Sequence, residues 1–247
     1  MKGNKKIFFL SDAHLGYPGK EESLEREKKL VSFLDKISGE AGEIYFLGDM
    51  FDFWYEYQSV VPRGYTRFLG KISELSDRGV KIHYFTGNHD IWSFGYLKEE
   101  SGINLYRKEI TRDIGSKKFF LSHGDGTDKS DRKFLFLKRV FHNRLLQWLF
   151  SRLHPNFAFY IAKRWSRHSR MVHGTDPFGG EDEPMVIYSR ENLLDGQFDF
   201  IIFGHRHCPV DYRLNETTRM IILGDWLTHF TYGEFDGESF HLKNYSL

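Results

Sequence analysis

Short runs of apolar, β-branched and aromatic residues recur along this chain, and most lead into side chains that can bind a hard metal ion. Runs of this kind, stopped by glycine or a polar residue, are typical of buried strands. The six runs are Ile7–Leu10, Ile44–Leu47, Ile82–Phe85, Phe119–Leu121, Phe200–Phe203 and Met220–Leu223. In α/β sheets, ligands collect in the loops after the carboxyl ends of strands. The pattern therefore predicts Asp, His and Asn side chains gathered at one sheet edge.

The segments between the strands predict the layout of the fold. Residues 21–38 and 65–75 carry apolar side chains near helical spacing, and a glycine follows each segment. This βαβαβ alternation implies parallel strands with right-handed crossovers. The alternation stops after His123, and residues 131–170 indicate two helices broken at His154-Pro155-Asn156. We therefore predict one α/β domain over residues 1–247, with residues 126–180 inserted as a helical cap.

Composition narrows the class of protein. The 247 residues are 40% hydrophobic, which allows a large core, and the single cysteine excludes an internal disulfide framework. The apolar run behind the basic N-terminus spans only Ile7–Leu10, which is too short for a signal peptide or a membrane span. These features predict a cytoplasmic protein.

The formal net charge of +1 conceals a basic segment. Residues 129–173 contain 11 Lys and Arg but one acid, Asp131, so this segment carries +10 and the rest of the chain −9. Such a block suggests an anionic partner, whether phosphate groups, a lipid surface or nucleic acid. Apolar side chains fall on helical spacing within it: Phe134, Leu137, Phe141, Leu145, Trp148 and Leu149. Basic amphipathic helices favour binding to an anionic membrane surface, although the same apolar stripe could simply pack on the domain.

Seven side chains could together bind metal. They are Asp12, His14, Asp49, Asn88, His123, His205 and His207. A set of nitrogen and oxygen ligands without thiolate favours Mn²⁺, Fe, Zn²⁺ or Mg²⁺. Seven ligands are too many for one ordinary site but suffice for two if Asp49 bridges. Two ions roughly 3.5–4 Å apart can clamp the attacking and leaving oxygens of a displacement at phosphorus.

These motifs resemble those of the calcineurin-like metallophosphoesterases. The five family blocks appear in order as Asp12-Ala13-His14, Gly48-Asp49-Met50-Phe51-Asp52, Gly87-Asn88-His89-Asp90, His123 and Gly204-His205-Arg206-His207. The resemblance implies a four-layer α/β/β/α sandwich with an inserted helical cap. It also implies two divalent metal ions and a hydroxide between them that attacks phosphorus.

The same resemblance implies a role for each motif residue. One metal would be held by Asp12, His14, Asp49 and His207, and the other by Asp49, Asn88, His123 and His205. His89 would stabilise the transition state or protonate the leaving group, Asp90 would orient His89, and Asp52 would support the ligands from behind. Asp225, which follows the last of the six runs, could either turn the chain or lie at the site.

Within the family, the chain is most similar to the group that hydrolyses the pyrophosphate bond of UDP-2,3-diacylglucosamine in lipid A biosynthesis. The likeness includes Ser11–Gly16, Gly48–Trp54, His142–Arg144 and Leu223–Trp226. It implies Mn²⁺ as the cofactor, an acylated UDP-sugar as the substrate, and peripheral association with the cytoplasmic face of the inner membrane. The substrate contacts expected from it are Asn88, His89, Asp131, Arg164, Arg167 and His205.

One residue departs from that group, whose best-known members carry arginine at the position of His89. A phosphodiesterase or pyrophosphatase acting on another amphiphilic or nucleotide substrate therefore stays open. A non-catalytic scaffold of the same fold is a further alternative, but loss of ligands would mark it and all seven are present. Nucleic-acid binding is not expected, because the basic segment is rich in aliphatic and aromatic side chains.

Overall fold

A computed structural model describes residues 5–172 and 177–246, and for residues 163, 165 and 167–172 it describes the backbone alone. The strands are β1 (Lys6–Leu10), β2 (Ala41–Phe46), β3 (Lys81–Phe85), β4 (Asn104–Tyr106), β5 (Ile110–Ile114), β6 (Lys117–Ser122), β7 (Phe200–Phe203), β8 (Pro209–Arg213), β9 (Arg219–Leu223), β10 (Thr231–Phe235) and β11 (Phe240–Asn244). The helices are α1 (Lys20–Ile37), α2 (Thr66–Asp77), α3 (Tyr96–Ser101), α4 (Arg132–His142), α5 (Arg144–Phe150), α6 (Pro155–Val172) and α7 (Pro184–Asn192).

The strands form two sheets. In the first sheet the order is β11-β10-β1-β2-β3-β4, with β1 to β4 parallel. In the second the order is β5-β6-β7-β9-β8, with β6, β7 and β9 parallel. The antiparallel strands β5, β8, β10 and β11 lie outside these parallel groups. Every predicted metal ligand follows one of the parallel strands, as the pattern of apolar runs predicted.

Alternating side chains divide the core into layers, because successive residues of a strand point to opposite faces. Phe8 of β1 belongs to the core that includes helices α1 and α2, whereas Phe9 belongs to the core between the two sheets. Across the molecule, Ile202 of β7 joins the core between the sheets, and Ile201 packs with Met185 of α7. The predicted α/β/β/α order of layers is therefore confirmed.

The region after β6 contains three helices rather than the predicted two. The predicted break at Pro155 is present, but a second break occurs at Asn143, whose backbone is extended. The Asn143 carboxamide oxygen accepts hydrogen bonds from the backbone N–H groups of Leu145 and Leu146, so it ends α4 and caps α5. The prediction was wrong there because it weighed the apolar spacing and overlooked the asparagine N-cap.

Helices α4–α6, hereafter the cap helices, contact the loops that follow β2 and β3. The Tyr55 hydroxyl donates to the Gln147 carbonyl at 2.8 Å, and the Trp92 indole N–H donates to the Phe141 carbonyl at 2.9 Å. Around these bonds the loop residues form an apolar cluster with Phe141, Phe150 and Phe159. No helix in the described part of the chain is both long and apolar enough to span a membrane.

Candidate metal centre

The seven predicted ligands lie close together, although they follow strands of two different sheets. The first sheet supplies Asp12 and His14 after β1, Asp49 after β2 and Asn88 after β3. The second sheet supplies His123 after β6 and both His205 and His207 after β7. Two groups within this set bring their ligand atoms within 4.8 Å of one another: Asp12, His14 and His207, and Asp49, His123 and His205.

The first group surrounds one carboxylate oxygen. Asp12 Oδ1 lies 3.6 Å from His14 Nε2 and 3.7 Å from His207 Nε2. These separations exceed hydrogen-bond lengths, but they suit ligands of one shared ion, because two ligands each about 2.0–2.2 Å from a metal lie at most about 4.4 Å apart. The geometry of this group therefore fits a metal ion.

The second group meets the first at Asp49. Its Oδ2 atom lies 3.3 Å from His123 Nε2 and 3.9 Å from His14 Nε2, so the carboxylate faces a ligand of each group. Asn88 Oδ1 lies 3.3 Å from His123 Nε2, which adds the amide oxygen to the second group. The arrangement permits two cations with Asp49 between them.

A buried polar atom supports a metal at this place. Asp12 is fully buried, and its Oδ1 atom has no hydrogen-bond partner among the described residues. A buried carboxylate oxygen left in this way is costly unless a cation or another donor compensates it. Gly87 leaves room beside the same ligands, since a Cβ there would overlap the Asp49 carboxylate and lie 2.7 Å from His123 Nε2. The residues present fit the divalent metals of the predicted family.

The charges at the site also favour a cation. Burial raises the pKa of Asp12. Burial would likewise raise the pKa of Asp49, but His123 and His89 hold it well below its ordinary value. For His123, burial opposes protonation, yet the Asp49 carboxylate raises the pKa to about 10. Carboxylates that draw a proton onto a buried imidazole in this way would also stabilise a metal ion at the same nitrogen.

The ligand loops hold strained backbone conformations. Five of the seven predicted ligands have positive φ: Asp12, His14, Asp49, His205 and His207. Such conformations cost on the order of 1–3 kcal/mol each and persist only where the surroundings hold them. For the loop after β1 the anchor is Arg26 of α1, whose buried guanidinium donates to the carbonyls of Ala13 at 3.2 Å and His14 at 3.0 Å. Arg26 was not among the predicted residues, although a charged residue on the apolar face of α1 was a signal for it.

The Asp90 carboxylate joins two ligand loops rather than orienting His89, as the resemblance had implied. It accepts hydrogen bonds from the backbone N–H of Gly87 at 2.7 Å, the backbone N–H of Met50 at 3.0 Å and the hydroxyl of Tyr84 at 2.6 Å. The expectation of a contact with the His89 ring is therefore corrected. Burial and the charge of Asp49 raise the pKa of Asp90 to about 6.

The ring of His89 is held by Asp52 instead. Nδ1 of His89 lies 2.9 Å from the Asp52 backbone carbonyl, which can only accept, so Nδ1 carries the hydrogen. The Asp52 carboxylate lies 3.9 Å from Nδ1 of His14 and accepts a 2.9 Å hydrogen bond from the Ser166 hydroxyl of α6. Asp52 thus lies behind both histidines, as expected, and links them to the cap helices. Ser166 was missed because one serine in a basic helix has no sequence signature.

Two acidic residues hold the loop that carries His205 and His207. Buried Glu183 pairs with the Arg206 guanidinium through contacts of 2.9 and 3.2 Å. Asp225 lies 3.2 Å from Nδ1 of His207, so of its two predicted alternatives it lies at the site. Burial would raise the pKa of Asp225, but the hydrogen bond from His207 and those from backbone N–H groups lower it to about 2.

A cavity of about 480 Å³ lies between the ligand loops and the cap helices. Its lining includes Asn88, His89 and Asp131, together with apolar side chains from α4, α5 and α6. One Asp131 oxygen also accepts the Phe134 backbone N–H, so this residue caps α4. Of the remaining predicted contacts, Arg164 is exposed and is not part of the lining, and the side chain of Arg167 lies outside the described residues. His205 reaches the cap helices through a ring contact with Phe134 at 6.0 Å.

The fold and the site define a class that comparison with known proteins identifies. Residues 5–209 match the sequence model of the calcineurin-like phosphoesterases, and the chain belongs to this family of metal-dependent hydrolases. It is 40% identical over 254 residues to the UDP-2,3-diacylglucosamine hydrolase of Porphyromonas gingivalis, covering 97% of each chain. Proteins of the same name from Neisseria meningitidis serogroup B (30% identity, 90% of each chain) and Vibrio atlanticus (28% identity, 97% of each chain) are also similar.

Proposed function

We propose that this protein hydrolyses the pyrophosphate bond of UDP-2,3-diacylglucosamine, releasing UMP and 2,3-diacylglucosamine 1-phosphate. The observation that carries the proposal is the position of Asn88 and His89, which belong to the polar ligand loops and also line a largely apolar cavity. A substrate with a pyrophosphate and acyl chains matches both surfaces. The names of relatives that cover 97% of the chain support the same reaction.

Two divalent ions, with Mn²⁺ as our choice, would complete the site. One would be held by Asp12, His14, Asp49 and His207, and the other by Asp49, Asn88, His123 and His205. When bound, such ions neutralise charge on phosphoryl oxygens and lower the pKa of water from about 16 toward roughly 7. Oxygen and imidazole ligands without thiolate suit Mn²⁺.

The protein's own groups would position and protonate the substrate. Because Nδ1 of His89 donates to the Asp52 carbonyl, Nε2 is the atom that would face a phosphoryl oxygen or the leaving group, and it would donate a proton from the doubly protonated form of the ring. Asn88 and His205 would contact the phosphate beside it. Asp90 would act indirectly, by fixing the loops at Gly87 and Met50.

The cap helices would bind the rest of the substrate. Leu137, Phe141 and Ile161 line the cavity and offer apolar surface to an acyl chain. Asp131 would contact the sugar part from the start of α4. Arg164 and Arg167 of α6 would interact with the anionic part.

We further propose that residues 126–180 are an insertion within a single domain, 1–247, and that this insertion docks on the cytoplasmic face of the inner membrane. Large apolar side chains of the cap helices are exposed: Phe136, Leu145, Leu146, Trp148, Leu149, Phe157, Tyr160 and Ile161. Exposed apolar residues beside basic ones are typical of helices that bind anionic lipid surfaces. The +10 charge of residues 129–173 supports an anionic rather than a neutral surface.

The first test is Mn²⁺-dependent release of UMP from UDP-2,3-diacylglucosamine, measured beside UDP-N-acetylglucosamine and beside an Asp49→Ala variant. We expect release from the acylated compound alone and a loss of more than about tenfold in the variant, because Asp49 faces both ligand groups. Equal turnover of both UDP-sugars would contradict the role of the cavity. Retention of more than a tenth of the activity by the variant would contradict the two-metal site.

A phosphodiesterase or pyrophosphatase acting on another amphiphilic or nucleotide substrate is the second candidate. His89 favours it, because the best-known enzymes of the proposed group carry arginine there. Hydrolysis of bis(p-nitrophenyl) phosphate without UMP release from the acylated UDP-sugar would select this candidate. A protein with no activity on either compound, in spite of bound metal, would support the scaffold alternative.

A further inference from the structure

Asp225 follows β9, and its carboxylate contacts both the turn at residues 227–229 and a predicted metal ligand. The Thr228 hydroxyl lies 3.3 Å from each carboxylate oxygen, and Nδ1 of His229 lies 3.3 Å from Oδ1. Oδ1 accepts the backbone N–H groups of Leu227 at 3.2 Å, Thr228 at 2.9 Å and His229 at 2.9 Å. Oδ2 lies 3.2 Å from Nδ1 of His207. The bonds to Oδ1 stabilise a turn over residues 227–229. This turn places Oδ2 beside His207, which is a predicted metal ligand.

The hydrogen-bond chemistry of this pair specifies one tautomer of His207. An ionised carboxylate only accepts hydrogen bonds, so Nδ1 carries the hydrogen, and in the neutral ring Nε2 keeps its lone pair. That lone pair belongs to the atom 3.7 Å from Asp12 Oδ1, in the first ligand group. The backbone N–H of Trp226, the next residue, donates to the Asp12 carbonyl at 3.1 Å, so the same turn contacts two ligands of that group.

His123 in the second ligand group shows the same arrangement with a different acceptor. Its Nδ1 lies 2.7 Å from the backbone carbonyl of Leu47, and its Nε2 faces Asp49 and Asn88. In both histidines an acceptor on Nδ1 leaves Nε2 available to a metal. For His123 that acceptor is main chain, whereas for His207 it is a side chain that mutation can change.

We propose that Asp225 is a positioning residue that holds His207 in the Nδ1–H tautomer with Nε2 directed at the first metal position. This inference rests on the metal role proposed for His207 but not on the identity of the substrate. Acceptors of this kind behind a metal-binding histidine are worth about 10–100-fold in metal affinity.

The test is an isosteric substitution, Asp225→Asn. The asparagine oxygen can still accept the three backbone N–H groups, but its NH₂ group then faces Nδ1 of His207 and favours the Nε2–H tautomer, which cannot bind metal through Nε2. We expect Mn²⁺ affinity at one of the two sites to fall by about 10–100-fold in calorimetric titration, with the other little changed. Thermal unfolding of the metal-free variant should stay close to that of the parent protein, because the turn is preserved.

A second measurement does not depend on the variant. Long-range ¹H–¹⁵N correlation spectra of the histidine side chains, recorded without metal, report the tautomer of His207 directly. We expect the Nδ1–H form in the parent protein and the Nε2–H form in Asp225→Asn. The matched control is Asp236→Asn, since Asp236 likewise accepts the backbone N–H groups of Glu238 and Ser239 but has no such histidine contact described.

The outcomes separate this inference from the proposed function. An Nε2–H tautomer in the parent protein, or unchanged Mn²⁺ affinity in Asp225→Asn, would overturn the inference and leave Asp225 as a turn residue only. A parent protein that binds fewer than two Mn²⁺ ions would contradict the proposed site, while the spectra would still decide the tautomer. Loss of metal in the Asp236→Asn control would show that any such substitution weakens binding, and would also overturn the inference.

Discussion

The ligand loops and the cap helices differ in which side chains they bury and which they expose. In the ligand loops, polar side chains such as Asp12 and His123 are buried. Arg26 and Asp90 hold the backbone of these loops, and the Leu47 carbonyl accepts from the His123 ring. In the cap helices, large apolar side chains such as Phe136 and Trp148 are more than half exposed. The comparison indicates that the ligand loops are held in fixed positions, whereas the cap helices present an exposed apolar surface, to which we assign the proposed binding of an amphiphilic substrate.

Specific polar contacts join the two regions among the residues whose side chains the structure describes. The Ser166–Asp52 hydrogen bond is buried at both ends and places the cap helices in contact with the residue behind His14 and His89. Other polar links come from Tyr55 and Trp92, which donate to main-chain carbonyls of the cap helices. Lys138 of α4 also pairs with Asp125, which follows His123, at 2.8 Å. Substitutions in one region should therefore spare the other unless they touch these links.

The largest loss of activity is expected from adding a side chain at Gly87, where the surrounding ligands leave no space for one. An alanine Cβ at Gly87 would overlap the Asp49 carboxylate and crowd His123, so Gly87→Ala should displace ligands of both metals. We expect activity and Mn²⁺ affinity to fall by on the order of 100-fold or more. The control is Gly70→Ala on the exposed face of α2, where a Cβ meets nothing within 4 Å and should stabilise the helix by about 1 kcal/mol. Similar activity in the two variants would show that the ligand loops are not rigid.

His89→Ala should affect the chemistry and not the metals. Since Nε2 of His89 is the proposed donor to the substrate, we expect turnover to fall by roughly 10²–10³-fold with both ions retained. Metal content and turnover of bis(p-nitrophenyl) phosphate are measured on the same sample, with His241→Ala on β11 as the exposed control. Loss of one ion from His89→Ala would make His89 a ligand and would contradict its proposed role.

Two substitutions in the cap helices should separate the cavity from the membrane surface. Phe141 lines the cavity and packs on Trp92 with ring centroids 5.3 Å apart, whereas Trp148 is 52% exposed. Phe141→Ser should lower kcat/KM for the acylated substrate by about tenfold in detergent and on vesicles alike, because the lost contact with one half-buried aromatic side chain is worth about 1.4 kcal/mol. Trp148→Ser should weaken only the reaction on anionic vesicles.

Bis(p-nitrophenyl) phosphate provides the control for both cap variants, since it has no acyl chain to bind. Its turnover should stay within about twofold of the parent protein, because neither side chain belongs to the predicted metal site. A parallel loss on this small diester would mean that the cap helices unfold or that they also shape the metal site. Either result would remove the distinction between the two regions.

Sequence patterns predicted the ligand loops better than the cap helices, for a physical reason. The apolar runs and the motif spacing are local features of the sequence. Parallel strands bring their carboxyl ends to one edge of a sheet whichever side chains follow them, so the positions of His123 and His207 were predictable. The contacts of Asp90 with Met50 and of Ser166 with Asp52 join distant segments and depend on side-chain geometry, which no spacing encodes. The helix break at Asn143 lies between these cases, because an N-cap is local but easily hidden by a strong apolar pattern.

The smallest effect on activity is expected from a partly buried carboxylate near the start of β2, the strand whose other end leads to Asp49. Glu43 lies near the start of β2, where its carboxylate is 3.0 Å from Nε2 of His83 and accepts the Tyr45 hydroxyl at 2.9 Å. The hydrogen bond from His83 outweighs burial, and with that from Tyr45 it lowers the pKa of Glu43 from 4.5 to about 2. Its stabilising effect is therefore complete above about pH 4.5 and is lost as the pH falls from there toward 2.

Glu43→Gln should thus destabilise the protein at pH 7 without changing turnover of the small diester. The pKa difference corresponds to at most about 3 kcal/mol. Urea unfolding of the two proteins at pH 7 and pH 3 should show the gap in unfolding free energy shrinking at the lower pH, since the Glu43 carboxyl of the unfolded chain binds a proton there before that of the native protein does. A difference in unfolding free energy that stays constant with pH would show that the substitution acts through packing rather than through charge. A fall in diester turnover would show that the two ends of β2 are coupled, so that a change at the start of this strand affects the ligand loops.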